Sequence, residues 1–380
     1  MHVDLAVVGA SFAGLATAHA AASRGVRAVV LERKADVGDS PRTTGILVKE
    51  VADIWDVPRW LTRKIHAVRL YSPSMRHVDL ERPGYFFLAT DMPGLMRWWA
   101  DQARHAGAMI RTNSPFRSAA RLSDGRIQLD TADITCRFLV GADGASSRVA
   151  RSFGLGCNRR WLSGCEIELR GVSAIDADHL HVFLDSSHAP GYIGWAVPGV
   201  DGITQVGLAA TRGRRLDLDG FVAKLGCVFD FSNARVVARR AGKIPAGGLV
   251  TPMGQSNVLL IGDAAGAVSP LTAGGIHTAI ELGRTAGIAI SDRLFDDGPD
   301  PVMVMQRRSP RFRFKKLLRT AFDVAPPPDW MFDRAVSSPL FCAIARTVFY
   351  HHRGLRSYDA WRDIATAVAG AHRTGHAWNV

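Results

Sequence analysis

An α/β fold is predicted for this 380-residue chain, with a mostly parallel layer, an inserted antiparallel β-sheet and a helical C-terminal segment. Three observations predict it. The first thirty-two residues read as strand, glycine turn, helix and strand. Two later apolar strands end in turns bearing Gly and Asp, each leading into a helix. Between them, residues 160–243 are dense in strand patterns.

The opening segment organises the rest. Leu5-Ala6-Val7-Val8 reads as a buried strand and Gly9-Ala10-Ser11-Phe12-Ala13-Gly14 as a tight turn. Leu15 to Arg24 reads as an alanine-rich helix, and Val26 to Leu31 as a second strand that ends at Glu32. This arrangement holds a dinucleotide, as in Rossmann-like domains. Gly9 makes the turn, and the following helix N-terminus offers free N–H groups and a positive dipole end to a pyrophosphate. Gly14 lets the helix lie close on the strand. Glu32, about 20 residues past the turn, is placed to accept hydrogen bonds from a ribose hydroxyl. Ser11 stands where the second glycine usually is, and is small enough to allow backbone approach. The competing reading is a signal peptide or membrane span, because residues 5–22 carry no charge. Asp4 before the run, the turn-spaced glycines and the second strand with its terminal acid favour the nucleotide fold.

Composition sets the outer bounds. The chain can bury one large or two medium cores, which makes two coupled domains the natural expectation, and its 47% hydrophobic and 22% charged content is that of an ordinary globular protein. Five cysteines without CxxC spacing imply neither a zinc site nor a disulfide framework, so no metal is expected and a cytoplasmic location is. The net charge of +12 is largely dispersed and accompanies no recognition-helix, zinc-finger or RNP-type pattern, which argues against nucleic acid.

Further along, the polar loop from Ala35 to Leu47 is of the kind that passes over a ligand. Arg42 in it can reach a phosphate or ribose, or can be a solvated surface arginine. His66 to Tyr71 and Tyr85 to Leu88 alternate like strands and start a second sheet. Pro93 to Ala106 reads as a helix ended by Gly107, and Met109 to Arg111 as a returning strand. Phe138 to Gly141 leads into Ala142-Asp143-Gly144 and an arginine-bearing helix, a second ligand-facing turn. There Asp143 can accept ligand hydroxyls or tie down the loop, while Gly144 permits close approach. From 160 to 243 the strands Gly164–Leu169, 179–184, 192–197 and 204–209 suggest an antiparallel sheet walling a pocket, with one helix at 217–229. Val258 to Ile261 then ends in Gly262-Asp263-Ala264-Ala265-Gly266, and Pro270 to His277 opens a long helix, giving a third such turn. Between Arg307 and Arg319 there are seven cations and no acids. That stretch is either a membrane-surface helix or a cationic face on a solvated one.

In this order and spacing, the three turns resemble the FAD-binding fold of para-hydroxybenzoate hydroxylase-like flavoproteins over roughly residues 1–290. The stretch Pro270 to Ile276, and Tyr192 to Pro198 with Trp195, is most similar to the geranylgeranyl reductase family within that superfamily. The resemblance implies a discontinuous FAD domain (1–65, 92–160 and 245–295), a substrate sheet (66–91 and 161–244) and a C-terminal helical segment (296–380). It implies that Gly9, Ser11 and Gly14 line the pyrophosphate, with Glu32 and Arg33 beside the adenosine ribose and Arg42 along the FAD. Asp143 and Gly144 would face flavin and nicotinamide, and Asp263 and Ala264 the ribityl chain. Gly274, Gly275 and Ile276 would abut the ring. The chain departs from the pattern in three places. Met92 lies where many relatives have an FAD-contacting arginine, with Arg97 nearby. Thr43 and Thr44 replace a cysteine that some members use in catalysis. Relative to that family's signature, one extra residue lies between Tyr192 and Trp195, and Val197 replaces Phe.

The implied function is an FAD-dependent oxidoreductase that reduces carbon–carbon double bonds of an isoprenoid or other apolar substrate, with NAD(P)H as donor. Tyr192, Trp195 and His277 are the catalytic candidates, Tyr192 and His277 as acids. Each has a plainer reading: a packed tyrosine or tryptophan, and a helix-start or packed imidazole. The alternatives are an NAD(P)H-dependent monooxygenase acting on an aromatic or alkene, then a halogenase or a non-catalytic flavin carrier. Peripheral membrane contact through 307–319 would suit a lipid-derived substrate.

Overall fold

A computed structural model describes residues 1–130, 133–211 and 213–350 of the protein. The chain divides into two compact units, the first formed by 1–45, 91–162 and 242–320, the second by 46–90, 163–241 and the segment from 321 onward.

In chain order, β1 (His2–Val8), α1 (Phe12–Ala22) and β2 (Ala28–Leu31) open the first unit. The second unit then contributes β3 (Ile46–Val48), α2 (Lys49–Ala52), β4 (Thr62–Ile65), β5 (Ala67–Tyr71), β6 (His77–Glu81) and β7 (Phe87–Thr90). The chain returns to the first unit with α3 (Met92–His105), β8 (Met109–Arg111), β9 (Ala119–Arg121), β10 (Ile127–Leu129), β11 (Ile134–Gly141) and α4 (Arg148–Ser152). Next come β12 (Trp161–Arg170), β13 (His179–Phe183), β14 (Gly194–Pro198), β15 (Ile203–Thr211), α5 (Leu218–Leu225) and β16 (Arg235–Pro245). The remainder is β17 (Gly254–Gln255), β18 (Val258–Leu260), α6 (Ile276–Phe295), α7 (Pro301–Arg308), α8 (Arg313–Val324), α9 (Asp329–Ala335) and α10 (Pro339–Tyr350).

The first unit is built on a sheet of order β17-β18-β11-β1-β2-β8, with the β9–β10 hairpin joined to β11. From β18 to β8 its neighbours run parallel. Leu5, Ala6 and Val7 of β1 are fully buried, as expected for the inner strand of a sheet covered on both faces. Every residue of α1 except His19 is buried. This explains the uncharged run at 5–22: it is a central strand and a core helix. Gly283 and Gly287 of α6 bring that helix against the α1 backbone, where a side chain at either would strike the Ala13 or Thr17 carbonyl. Among the described residues no helix is long and apolar enough to cross a membrane.

The second unit holds a seven-stranded sheet, β16-β12-β15-β14-β13-β5-β6, and a three-stranded one, β3-β7-β4. Its larger sheet departs from the antiparallel expectation where β13 pairs parallel with β5. These strands are far apart in sequence, so no hairpin constrains their direction. The expected boundary near residue 65 also moves. β3 and β4 both pair with β7, which draws 46–65 out of the nucleotide domain and into the second unit. The helical segment expected at 296–380 is divided as well: α7 lies in the first unit, α9 and α10 in the second, and 351–380 lie outside the described residues. The helix expected at 217–229 is shorter, and the strand expected from Tyr192 begins only at Gly194. β16 has no clear strand period in the sequence, because Val236 and Val237 are exposed while the Arg240 side chain is buried.

Candidate functional site

In the first unit, the three predicted turns are brought into mutual contact. Gly9 has φ +103°, in the left-handed region that favours glycine, and its N–H donates to the Leu31 carbonyl at 2.8 Å. A side chain there would collide with the Ala142 carbonyl of the second turn. Gly262, which starts the third turn, lies where an added Cβ would be 2.8 Å from Cβ of Ala13 on α1. Asn158, which the motifs did not flag, joins the other two: its Nδ2 donates to the Ala145 carbonyl at 3.1 Å and the Asp263 carbonyl at 2.8 Å. Spacing gave no signal for Asn158, which lies in the segment linking α4 to β12.

The polar groups at this junction are under-used by the protein. Helix α1 begins at an exposed Ser11 that makes no side-chain cap, and its first turn has no acid. Its leading N–H groups are therefore open to a ligand. Glu32 is buried; one carboxylate oxygen accepts from Ala10 N–H at 2.9 Å and the other from Lys34 N–H at 3.1 Å. That fixes the carboxylate beside the first turn while leaving lone pairs for a further donor. Asp143 resolves its two sequence readings by dividing them. Its Oδ2 accepts from the N–H groups of Arg148 at 2.6 Å and Val149 at 3.1 Å, tying down α4, whereas its buried Oδ1 has no partner. Asn158 Oδ1 is likewise buried and unpartnered. Among the described residues none donates to the Asp263 carboxylate. This side chain is half-buried by area, yet protein surrounds the group closely enough that desolvation pushes its pKa up to about 6.

Other predicted residues are less engaged. Arg33 and Arg42 are exposed, and Gly144 faces open space. Lys34, absent from the expected set, ties the following loop by donating to the carbonyls of Asp39 and Ser40. Met92 is fully buried, and Arg97 forms an ion pair with Asp36 of that loop at 2.9 Å. Ala264 is buried behind Asp263. Gly274 is exposed, Gly275 caps α6 and Ile276 is its first residue. The α6 N-terminus has no side-chain cap and no acid in its first turn. His277, also on that turn, is half-buried, and no described residue hydrogen-bonds its ring.

The other two catalytic candidates, Tyr192 and Trp195, belong to the second unit, where Trp195 forms part of a ladder across four strands. Trp195 on β14 is paired in register with Gly207 on β15. The indole lies flat across that glycine, so that an added Cβ would come within 2.5 Å of the ring. Beyond it, Nε1 donates to Glu166 Oε2 on β12 at 2.8 Å. Arg240 on β16 approaches Glu166 Oε1 at 3.4 Å and pairs with Glu168. Glu166 and the Arg240 side chain are buried. This ladder fixes the indole plane on one sheet face. Tyr192 sits in the turn before β14, half-buried, with its N–H donating to the Ala189 carbonyl at 3.0 Å. Gly207 belongs to the Val206-Gly207 pair that follows the Tyr192–Pro198 stretch in the family's signature, whereas sequence alone gives no sign of Glu166 or Arg240, because they are neighbours of Trp195 only across strands.

Residues 4–104 match the FAD dependent oxidoreductase family, and residues 99–298, more than half of the chain, match the FAD binding domain family. The chain belongs to the FAD binding domain family. This FAD-dependent oxidoreductase is similar to digeranylgeranylglycerophospholipid reductase 2 of Methanosphaera stadtmanae, with 29% identity over 316 residues, covering 78% of this chain and 79% of the relative. Among solved structures, a geranylgeranyl bacteriochlorophyll reductase-like protein of Thermoplasma acidophilum matches with TM-score 0.80 and 21% identity, covering 97% of this chain and 96% of that one. The p-nitrophenol 4-monooxygenase of Pseudomonas putida matches with TM-score 0.69 and 16% identity, covering 94% and 100%. At these identities the two structures show the fold alone.

FAD fits the residues at the three-turn junction of the FAD binding domain. A diphosphate needs open N–H donors and close backbone approach, which α1 and Gly9 provide. Ribose and ribityl hydroxyls need acceptors, and Glu32, the orphaned Asp143 Oδ1 and the unpartnered Asp263 carboxylate are acceptors.

Proposed function

We propose that the protein reduces carbon–carbon double bonds of an isoprenoid substrate, with NAD(P)H as the electron donor. The observation that carries this reading is the likeness to digeranylgeranylglycerophospholipid reductase 2 over about four-fifths of both chains. The Trp195 ladder supports it, since a rigid, flat indole on a sheet face is a platform for a long apolar chain.

FAD, when bound, supplies the hydride. The chain's own residues bind and orient it. Open N–H groups of α1 face the diphosphate, Glu32 accepts from the adenosine ribose, and Asp263 accepts from the ribityl hydroxyls. Asp143 Oδ1 is left for a nicotinamide or flavin group. Gly274, Gly275 and Ile276, at the uncapped N-terminus of α6, would stabilise negative charge on a reduced flavin ring. Because Thr43 and Thr44 replace the cysteine, protonation of the substrate falls to Tyr192 or His277. A lipid-derived substrate also makes contact with a membrane, through the basic region at 307–319, part of the reading.

Paired incubations of the reduced, flavin-loaded protein with isoprenoid lipids, with and without oxygen, test this by mass spectrometry. The expected product gains two hydrogens and forms without oxygen. A product that gains one oxygen atom, only in air, would replace the reading with a monooxygenase.

A further inference from the structure

The basic stretch at 307–319 does not form one helix. Arg307 and Arg308 end α7, and α8 begins only at Arg313. Within α8 the cations separate by face. Arg319 is buried, and Lys315 is half-buried with its ammonium pKa lowered by desolvation. Leu318 and Phe322 share that inner side. The outward side is apolar. Phe314, Leu317, Ala321 and Val324 follow one another at intervals of three and four, which puts them in a single stripe. All four are exposed, Phe314 by 57%, Leu317 by 67% and Val324 by 79%. Exposed Arg311, Arg313 and Lys316 lie at or beside this stripe, and the first acid after Arg307 is Asp323.

An ordinary solvated helix turns its apolar stripe inward and its charges outward. In α8 the most exposed face is the apolar one, and its rim carries the cations Arg313 and Lys316, with the exposed acid Asp323 beside its last turn. We propose that α8 docks on an anionic lipid bilayer, with Phe314, Leu317, Ala321 and Val324 entering the headgroup–acyl boundary and Arg311, Arg313 and Lys316 meeting lipid phosphates. The charge pattern selects this occupant. A second copy of the chain would bring the same uncompensated cations against each other, whereas an anionic surface neutralises them. The proposal deepens the membrane contact in the reading above and rests on it for its purpose, while its geometry stands without the reaction.

The test is cosedimentation of the full-length, flavin-loaded protein with vesicles of phosphatidylcholine alone or mixed equally with phosphatidylglycerol. Binding is expected only to the mixed vesicles and weakens with salt. Arg313→Gln with Lys316→Gln should reduce it about fivefold per cation, and Phe314→Ser with Leu317→Ser should abolish it. Retained yellow colour reports that the variants fold. Equal binding to both vesicle types, undiminished binding by either variant, or self-association that the apolar variant abolishes would overturn the proposal. Turnover of a detergent-solubilised isoprenoid should be unchanged in these variants. Its absence alongside intact vesicle binding would count against the reductase reading and leave the docking surface standing.

Discussion

Asp263→Asn should make the flavin-free protein more stable and the flavin-loaded protein harder to form. Burial raises the Asp263 pKa from 3.8 to about 6. Below the lower value the folded and unfolded chains both hold the proton, and no charge is buried. As pH rises between the two values, the unfolded chain ionises while the folded one resists, so stability is lost. Above about 6 the loss is complete. At about 1.4 kcal/mol per pKa unit it amounts to roughly 2 to 3 kcal/mol at neutral pH. Asparagine fills the same space without the charge, so its flavin-free form should gain that amount, a rise of roughly 2 to 4 °C in unfolding temperature for a chain of 380 residues. The difference from wild type should shrink to nothing below about pH 3. Flavin binding should move the other way. A hydrogen bond to a charged acceptor contributes about 1.5–3 kcal/mol, so FAD should bind roughly 10- to 100-fold more weakly. Thermal unfolding across pH and a flavin titration read the two effects separately. A flavin-free variant no more stable than wild type at pH 7 would refute the desolvation argument, and unweakened flavin binding would refute the ligand role.

Two further substitutions probe the close approaches. Gly9→Ala combines a left-handed φ with a collision against the Ala142 carbonyl; it should destabilise the protein by about 2 kcal/mol or more and yield colourless preparations, measured by the flavin-to-protein absorbance ratio. Gly207→Ala would push a methyl into the Trp195 ring, expel the indole and cost the Glu166 carboxylate its indole donor, a loss of about 1–3 kcal/mol. Gly207 belongs to the second unit, so flavin content should hold while KM for an isoprenoid rises; an unchanged KM would remove the platform role from Trp195.

The turns around Gly9, Asp143 and Asp263 were legible because their signals are local: a glycine or an acid within a few residues of a strand end, before a helix. Nothing local marks Asn158, whose two hydrogen bonds reach turns 13 and 105 residues away. The β3–β7–β4 pairing and the parallel β13–β5 pair were missed for the same reason, since strand partnership is decided across the chain rather than along it. Cation density foresaw the interest of 307–319, but misplaced its surface. Composition registers only the charge, whereas the exposed feature is the apolar stripe that continues to Val324.

The first unit's chemistry is general and the second unit's is particular. Open helix ends and spare carboxylate oxygens suit any enzyme that holds FAD, so they do not distinguish reduction of an alkene from insertion of oxygen. The ladder behind Trp195 is different in kind. It places the Glu166 carboxylate and the Arg240 guanidinium in the interior, with Glu168 half-buried beside them, an arrangement that adds little stability once desolvation is counted. What it does achieve is orientation: Glu166 holds the indole nitrogen, Arg240 holds Glu166, and Gly207 presents no side chain to strike the ring from the neighbouring strand. Next to the ladder this face is aliphatic, with Leu180, Val182 and Val197 in a buried cluster against which Trp195 packs, so the polar ladder is a local departure from it. Expenditure on a fixed indole makes sense where a ligand must lie flat along that surface, and the shape of that ligand is what separates a long isoprenoid from a compact aromatic ring.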